Sequence, residues 1–153
     1  MVKLTTDEKD EEKIDNLIMD ICRAYSELER IGVVRVGIIL TDYIEWKVCR
    51  ILNLVREENP ITEGYDAKDK HNKKYQIKYR TDDENSSTSF DNIKFGKFDF
   101  LLCAFVNKEN YKIKTIYKVP HDTVKIYSKP YHSNSFRWNR ESKSDKTLEK
   151  VYP

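Results

Sequence analysis

Apolar residues return at intervals of three and four along the start of the chain: Ile14, Leu17, Ile18, Ile21, Tyr25 and Leu28. That spacing puts side chains on one face of an α-helix. A helix with one buried face is therefore predicted, capped by Thr5 or Thr6, with acids crowding a first turn where the helix dipole favours negative charge. The next stretch, IGVVRVGIIL, is so apolar that its periodicity does not separate helix from strand. A second helix is predicted from Thr41 and Asp42 through DYIEWKVCRILNLVREE, ending before Pro60. Its core face is Ile44, Val48, Ile51, Leu52 and Val55. At about 100° per residue, Glu45 falls inside that apolar arc, between Leu52 and Cys49, whereas Lys47 and Arg50 point away. A carboxylate there is paired, protonated or metal-bound, or it bends outward to water or to an arginine.

Farther on the period changes to two. In GYDAKDKHNKKYQIKYR, residues 64–80, two strands are expected around a turn at Lys70 to Lys73. The second places Tyr75, Ile77 and Tyr79 on one face and Gln76, Lys78 and Arg80 on the other. A two- or four-residue loop would set Asp66 opposite Ile77, while an odd loop or a bulge would set it opposite Gln76. Asn72 suits the left-handed position of a three-residue turn. TDDENSSTSFDNIKFGK reads as a polar loop leading into a short helix, FDFLLCAFV as a buried strand, and KIKTIYKV as an alternating strand with its lysines on a solvated face. Asp99, at the start of the buried strand, is expected to pair or cap.

Composition narrows the class. At 153 residues the chain is expected to be one domain, with an N-terminal helix within residues 1–30 and a basic, aromatic C-terminal segment at 128–153. The net charge of +2 conceals an acidic beginning and a lysine-rich remainder, which favours an anionic partner for the later half. Cys22, Cys49 and Cys103 lie in apolar runs, as buried reduced thiols do, and point to a cytoplasmic protein. No apolar run approaches the length of a membrane span, and the start shows no export signal, so neither membrane nor secretion is expected. The C-terminal segment interleaves lysine and arginine with Tyr127, Tyr131, Phe136 and Trp138, a mixture that suits phosphates and unpaired bases and equally suits the interface of a homodimer. Arg80, Lys73, Lys74, Arg137, Trp138 and Arg140 are the candidate nucleic-acid contacts. His71, His121 and His132 lack metal-ligand spacing and read as surface residues.

Asp66, a short turn and Gln76-Ile77-Lys78, preceded by a helix bearing Glu45, resemble the PD-(D/E)XK nuclease superfamily, the restriction-endonuclease-like fold, in the variant where glutamine replaces the second acid. The order VVRVG, TDYIEWKV, GYDAKD, KYQIKYR, FDFLLCAFV and YKIKTIYKVP, over about residues 30 to 125, is similar to a small uncharacterised bacterial family of that superfamily. The resemblance implies an α/β fold with an αβββαβ core, a mixed central sheet flanked by helices, and a site at one end of the sheet. It implies a Mg²⁺-dependent nuclease, with Mn²⁺ as a substitute ion, cutting DNA (or RNA) in a prokaryotic defence, mobile-element or repair setting. The site residues would be Asp66, Gln76, Lys78 and Glu45, with the carbonyl of Ile77 joining Asp66, Gln76 and Glu45 as metal ligands. Two positions depart from the pattern. Gly64-Tyr65 stands where the superfamily's name has a proline, and Gln76 brings an oxygen without a charge, which keeps a non-cleaving DNA-binding or scaffold protein in view.

Overall fold

The computed structural model describes residues 8–30, 39–58, 64–128 and 134–153. The Thr5 or Thr6 cap, the 31–38 stretch, Pro60, Tyr131 and His132 lie outside the described residues. Two helices come first, α1 (Glu8–Arg30) and α2 (Ile39–Leu52). They are joined by charge: Lys47 reaches Glu11 at 2.9 Å and Asp15 at 2.8 Å, and Arg50 reaches Glu11 at 2.8 Å. The acids of the chain's beginning thus neutralise the two cations that α2 turns away from its apolar face. The expected apolar stripe of α1 is covered only in part among the described residues. Its buried side chain is Cys22, whereas Leu17 is 52% exposed.

The second helix is shorter than its sequence pattern predicts. Asn53 adopts a left-handed φ of 54°. The Leu54 N–H returns to the Cys49 carbonyl at 2.8 Å and the Asn53 N–H to that of Arg50 at 3.4 Å, the paired bonds that close a helix at a left-handed residue. The chain is then free to extend, and Val55–Arg56 becomes a strand, β1. Val55, expected in the core, is therefore exposed, while Ile44 and Val48 are fully buried.

The remaining elements are β2 (Ala67–Lys68), β3 (Lys74–Arg80), β4 (Thr88–Phe90), β5 (Phe100–Val106), β6 (Ile113–Pro120), α3 (His121–Ile126), β7 (Phe136–Trp138), α4 (Arg140–Lys143) and β8 (Glu149–Tyr152). Six strands form one sheet in the order β1-β2-β3-β5-β6-β8, and β4 and β7 form a separate ribbon. Only the β3–β5 pairing is parallel, so the sheet is mixed. The β5 strand is buried on both faces, as a central strand flanked by two layers must be. Leu102, Ala104 and Val106 pack with Tyr75, Ile77 and Ile116 under Ile44 and Val48 of α2. Leu101, Cys103 and Phe105 pack on the other side with Phe90, Phe136 and Trp138 of the ribbon and Val124 of α3. The architecture is an α/β fold with a mixed sheet between layers.

A parallel pair cannot be joined by a tight turn, so the chain between β3 and β5 must cross over. It does so without the short helix expected there. Residues 81–99 run as turns and the three-residue strand β4, which pairs with β7 in the register Thr88 to Trp138, Ser89 to Arg137 and Phe90 to Phe136. Its side chains Phe90, Ile93 and Phe98 supply the apolar anchors that a helix would otherwise provide. No helix among the described residues is long and apolar enough to cross a membrane.

The revised end of α2 is open to measurement. Ile44→Ala should cost about 2–5 kcal/mol in urea unfolding, and Val55→Ala no more than about 0.5 kcal/mol. Equal losses would place Val55 back in the core.

Candidate active site

The site is built on the hairpin of β2 and β3. Ala67 pairs with Tyr75 and Lys68 with Lys74, an odd loop that continues to place Asp66 across from Gln76. The turn is held by Asp69, whose carboxylate accepts the N–H groups of His71 and Lys73, both at 2.9 Å. Asn72 takes the left-handed position at φ 61°, although the loop between the paired Lys68 and Lys74 spans residues 69–73, longer than the three-residue turn expected because Asp69 folds the extra residues back onto its carboxylate. Of the two registers that the sequence leaves open, the polar residues therefore share one face.

Because β2 is so short, β3 outruns it. Where the next cross-strand partner would stand, the Asp66 carboxylate accepts the Ile77 N–H at 2.7 Å. In a strand the N–H and C=O of one residue point to the same side, so the Ile77 carbonyl lies on this edge too. Gln76 is 3% exposed, and its side-chain oxygen accepts the N–H of Lys94 from the crossover at 3.2 Å. Its face is therefore roofed, not the solvated outer face that simple alternation suggests. The result is a cleft of about 380 Å³ lined by Asp66, Gln76, Ile77 and Lys78, by Glu45 from α2, and by Asp91 and Lys94 from the crossover. Glu45 reaches it past the unpaired edge of β3.

Gly64 fits this corner because of its missing side chain. It has φ +78°, and a Cβ there would lie 2.8 Å from the Lys97 Cγ. Tyr65 packs into the core and donates its hydroxyl to Glu57 at 3.0 Å, so the aspartate that follows is anchored from both sides.

The charges are arranged unevenly. The side chain of Glu45 is only 14% exposed and meets Arg56 at 3.2 Å. Burial raises its carboxyl above the ordinary glutamate value, the charge of Asp66 raises it further, and Arg56 opposes both. Asp66 is raised by burial as well, against the Ile77 N–H and the charges of Lys78 and Lys94. Lys78 is lowered by burial, with Asp66 opposing and Lys94 adding to the effect. Among the described residues the Lys78 ammonium has no hydrogen bond or ion pair; it attracts Asp66 through space. It is not spent on a structural salt bridge.

Other candidates fall elsewhere. Lys73 and Lys74 sit at the opposite end of β3 from Lys78, and the Lys74 ammonium stands over the Tyr65 ring at 5.1 Å. Arg80 lines the cleft and donates its Nε to Asp82 at 2.8 Å. Arg137 and Arg140 are exposed on β7 and α4. Trp138 is 2% exposed, donates its ring N–H to the Glu84 carbonyl at 2.7 Å, and packs on Phe105 and Tyr117, so it offers no face to a base. Phe136 is likewise core. Asp99 binds the Lys74 N–H at 2.8 Å, a pairing role. His71 is exposed, but His121 is no free surface residue: it packs against Phe95 and Phe98 and accepts the Gly96 N–H at 3.2 Å. All three cysteines are free and buried. Sequence reading misses Arg56, Asp91 and Lys94. Arg56 is hidden because it reads as helix, and Lys94 because nothing in its polar segment distinguishes it.

Among the described residues, no three His, Cys, Asp or Glu side chains gather in a way that could hold a metal ion. Three carboxylates line the cleft, Asp66, Glu45 and Asp91, of which Asp91 already accepts the hydroxyls of Ser89 and Ser135; the Gln76 oxygen and the Ile77 carbonyl are further oxygen donors. These donors are all oxygens, the type that a hard divalent cation takes, and Asp66 raises the Glu45 carboxyl as a neighbouring negative charge does. No protein-family model matches the chain, and no curated protein is similar to it in sequence.

The raised Glu45 carboxyl gives a signed prediction. Between the ordinary glutamate value and its folded value, the folded chain holds more protons than the unfolded one, so this group's contribution to stability falls as pH rises through that window. Glu45→Gln should therefore gain thermal midpoint relative to the parent as pH rises across it, in metal-free buffer. A difference that stays flat with pH would mean that Glu45 ionises as it does in the unfolded chain.

Proposed function

We propose that the chain is a Mg²⁺-dependent nuclease of the PD-(D/E)XK type that hydrolyses DNA phosphodiester bonds. One observation carries the reading: a half-buried lysine whose ammonium has no hydrogen-bond or ion-pair partner among the described residues shares a cleft with the half-buried carboxylates of Asp66 and Glu45, at the strand edge where Asp66 meets Gln76-Ile77-Lys78. Partial burial of a lysine that makes no ion pair is costly, and titratable groups shifted by burial in a cleft are a mark of functional sites.

Asp66, Glu45, the Gln76 oxygen and the Ile77 carbonyl would hold the ion. When bound, Mg²⁺ polarises a phosphate oxygen and lowers the pKa of water. Lys78, on the same face as Gln76, orients the attacking water or takes its proton, and offsets negative charge that builds on the phosphorus oxygens. Its lowered pKa makes the neutral, proton-accepting amine more accessible than in a free lysine. The crossover keeps bulk water from the Gln76 side. Arg80 stands along the strand where a neighbouring phosphate would lie.

A second reading has its own support in Gln76. This residue brings no charge, and its oxygen already accepts the Lys94 N–H. A protein that uses the same cleft to bind DNA without cutting it would need no more than this.

The two readings part on supercoiled plasmid and single-stranded DNA incubated with Mg²⁺, Mn²⁺ or EDTA. Metal-dependent nicking selects the nuclease, and salt-sensitive binding without nicking selects the binding protein. Gln76→Glu should tighten Mg²⁺ binding severalfold in calorimetry, because it adds a charge beside Asp66 at nearly constant shape. Lys78→Ala should leave Mg²⁺ affinity nearly intact and lower nicking by about 10²–10⁴-fold. Unchanged affinity in the first and parental cutting in the second would together remove this site.

A further inference from the structure

Beyond the cleft, the outer face of the β4–β7 ribbon forms a second groove of about 660 Å³, lined by Arg80, Ser87, Ser89, Asp91, Arg137 and Asn139 among others. It shares Arg80 and Asp91 with the cleft, so the two are continuous. The ribbon's alternation explains its chemistry. Phe90, Phe136 and Trp138 turn into the core, which leaves Ser89 and Arg137, opposite one another in the register, on the outside.

The charges in this groove are unequal in their availability. Asp91 accepts the hydroxyls of Ser89 at 3.0 Å and Ser135 at 2.7 Å, and Asp82 accepts the Arg80 Nε at 2.8 Å and the Thr88 hydroxyl at 3.1 Å. Each acid thus has one carboxylate oxygen engaged within the ribbon and its flanks. Arg137, by contrast, is exposed and has no ion pair or hydrogen bond from its guanidinium among the described residues. The Asn139 side-chain oxygen caps α4, which leaves its NH₂ as a donor. Arg80 commits only Nε to Asp82, which leaves its terminal nitrogens. A guanidinium, a second partly engaged one, an amide and the Ser87 hydroxyl are the donor types that hold phosphate and sugar oxygens in a sequence-independent way.

We propose that this groove binds the sugar-phosphate backbone of a nucleic-acid strand as it leaves the cleft, with Arg137 as its main phosphate contact. The groove rests on the nucleic-acid reading of the cleft and extends it: the substrate is long enough to span both, and contact along the ribbon is to backbone, since Trp138 is withdrawn into the core and cannot stack on a base. This assigns the ribbon a function separate from its role in roofing the sheet.

The test is fluorescence anisotropy of a labelled oligonucleotide, single-stranded and duplex, measured in EDTA over a salt series so that cleavage plays no part. Arg137→Ala should weaken binding about tenfold at low salt. It should also make the slope of log K against log salt shallower by about 0.7 for a single strand or about 0.9 for a duplex, the signature of one lost phosphate contact. Lys70→Ala, which removes the same charge at the turn beyond the far end of β3, should leave the slope unchanged. Parental affinity and slope in Arg137→Ala, equal losses in the two variants, or no oligonucleotide binding by the parent would each overturn the groove. Metal-dependent nicking by the parent is scored separately, so a groove that fails on a working nuclease is distinguished from a groove that binds on a protein that does not cut.

Discussion

One hydrogen bond organises the site: the Asp66 carboxylate on the Ile77 amide, at 2.7 Å. A strand edge must satisfy its N–H groups, and β2 stops before it can do so for Ile77. Supplying the acceptor from a side chain instead of a carbonyl fixes the carboxylate against the backbone and leaves its remaining lone pairs facing the cleft. It also opens the edge of β3 to something other than a strand. Glu45 of α2 shares the cleft at this edge. A longer β2 would have made an ordinary hairpin and a closed sheet.

The crossover completes what the short strand begins. Parallel pairing of β3 with β5 obliges the chain to travel from one end of the sheet to the other, and its route lies over the face that carries Gln76 and Lys78. Apolar anchors at Phe90, Ile93 and Phe98 hold the route down, so the polar backbone between them is brought to Gln76. The low exposure of Gln76 is a product of this covering layer. Burial then shifts Asp66, Glu45 and Lys78 toward their neutral forms, which is how the fold reaches into the chemistry of the site.

The parts of this arrangement legible in the chain are those governed by local period. Alternation in KYQIKYR put Gln76 and Lys78 on one face, Asn72 marked the odd turn, and the wheel of α2 put Glu45 in its apolar arc. Each depends on residues a few positions apart. The failures lie where distant segments compete with a local pattern. Val55 continues the helical period of α2, but Asn53 in a left-handed conformation ends the helix and pairing with β2 claims the next residues. Phe136 and Trp138 look like exposed aromatics among cations, yet β4, far back in the sequence, pairs with their strand and turns them inward. Polar 81–97 carries no helical or strand period that would announce its course over the sheet. The nearness of Arg56 to Glu45 and of Lys94 to Gln76 follows from these long-range pairings, so neither could be found by inspection of a motif.

The end of α2 at Asn53 has a consequence for how tolerant the site is to change. The same few residues that stop the helix swing the chain round to deliver Arg56 to the carboxylate that the helix itself carries. Acid and counter-charge are therefore mounted on one continuous piece of backbone, and their distance is set by the geometry of a helix terminus instead of by docking of independent elements. The crossover, which carries neither residue, can shift slightly around this unit without parting the pair. A change in the length of the segment between Leu52 and Arg56 is a different matter, because it would rotate β1 by one residue and turn the arginine to the opposite side of its strand. Glu45 would then face Asp66 with no cation of its own, and the electrical balance of the cleft would be decided by the register of a strand only two residues long.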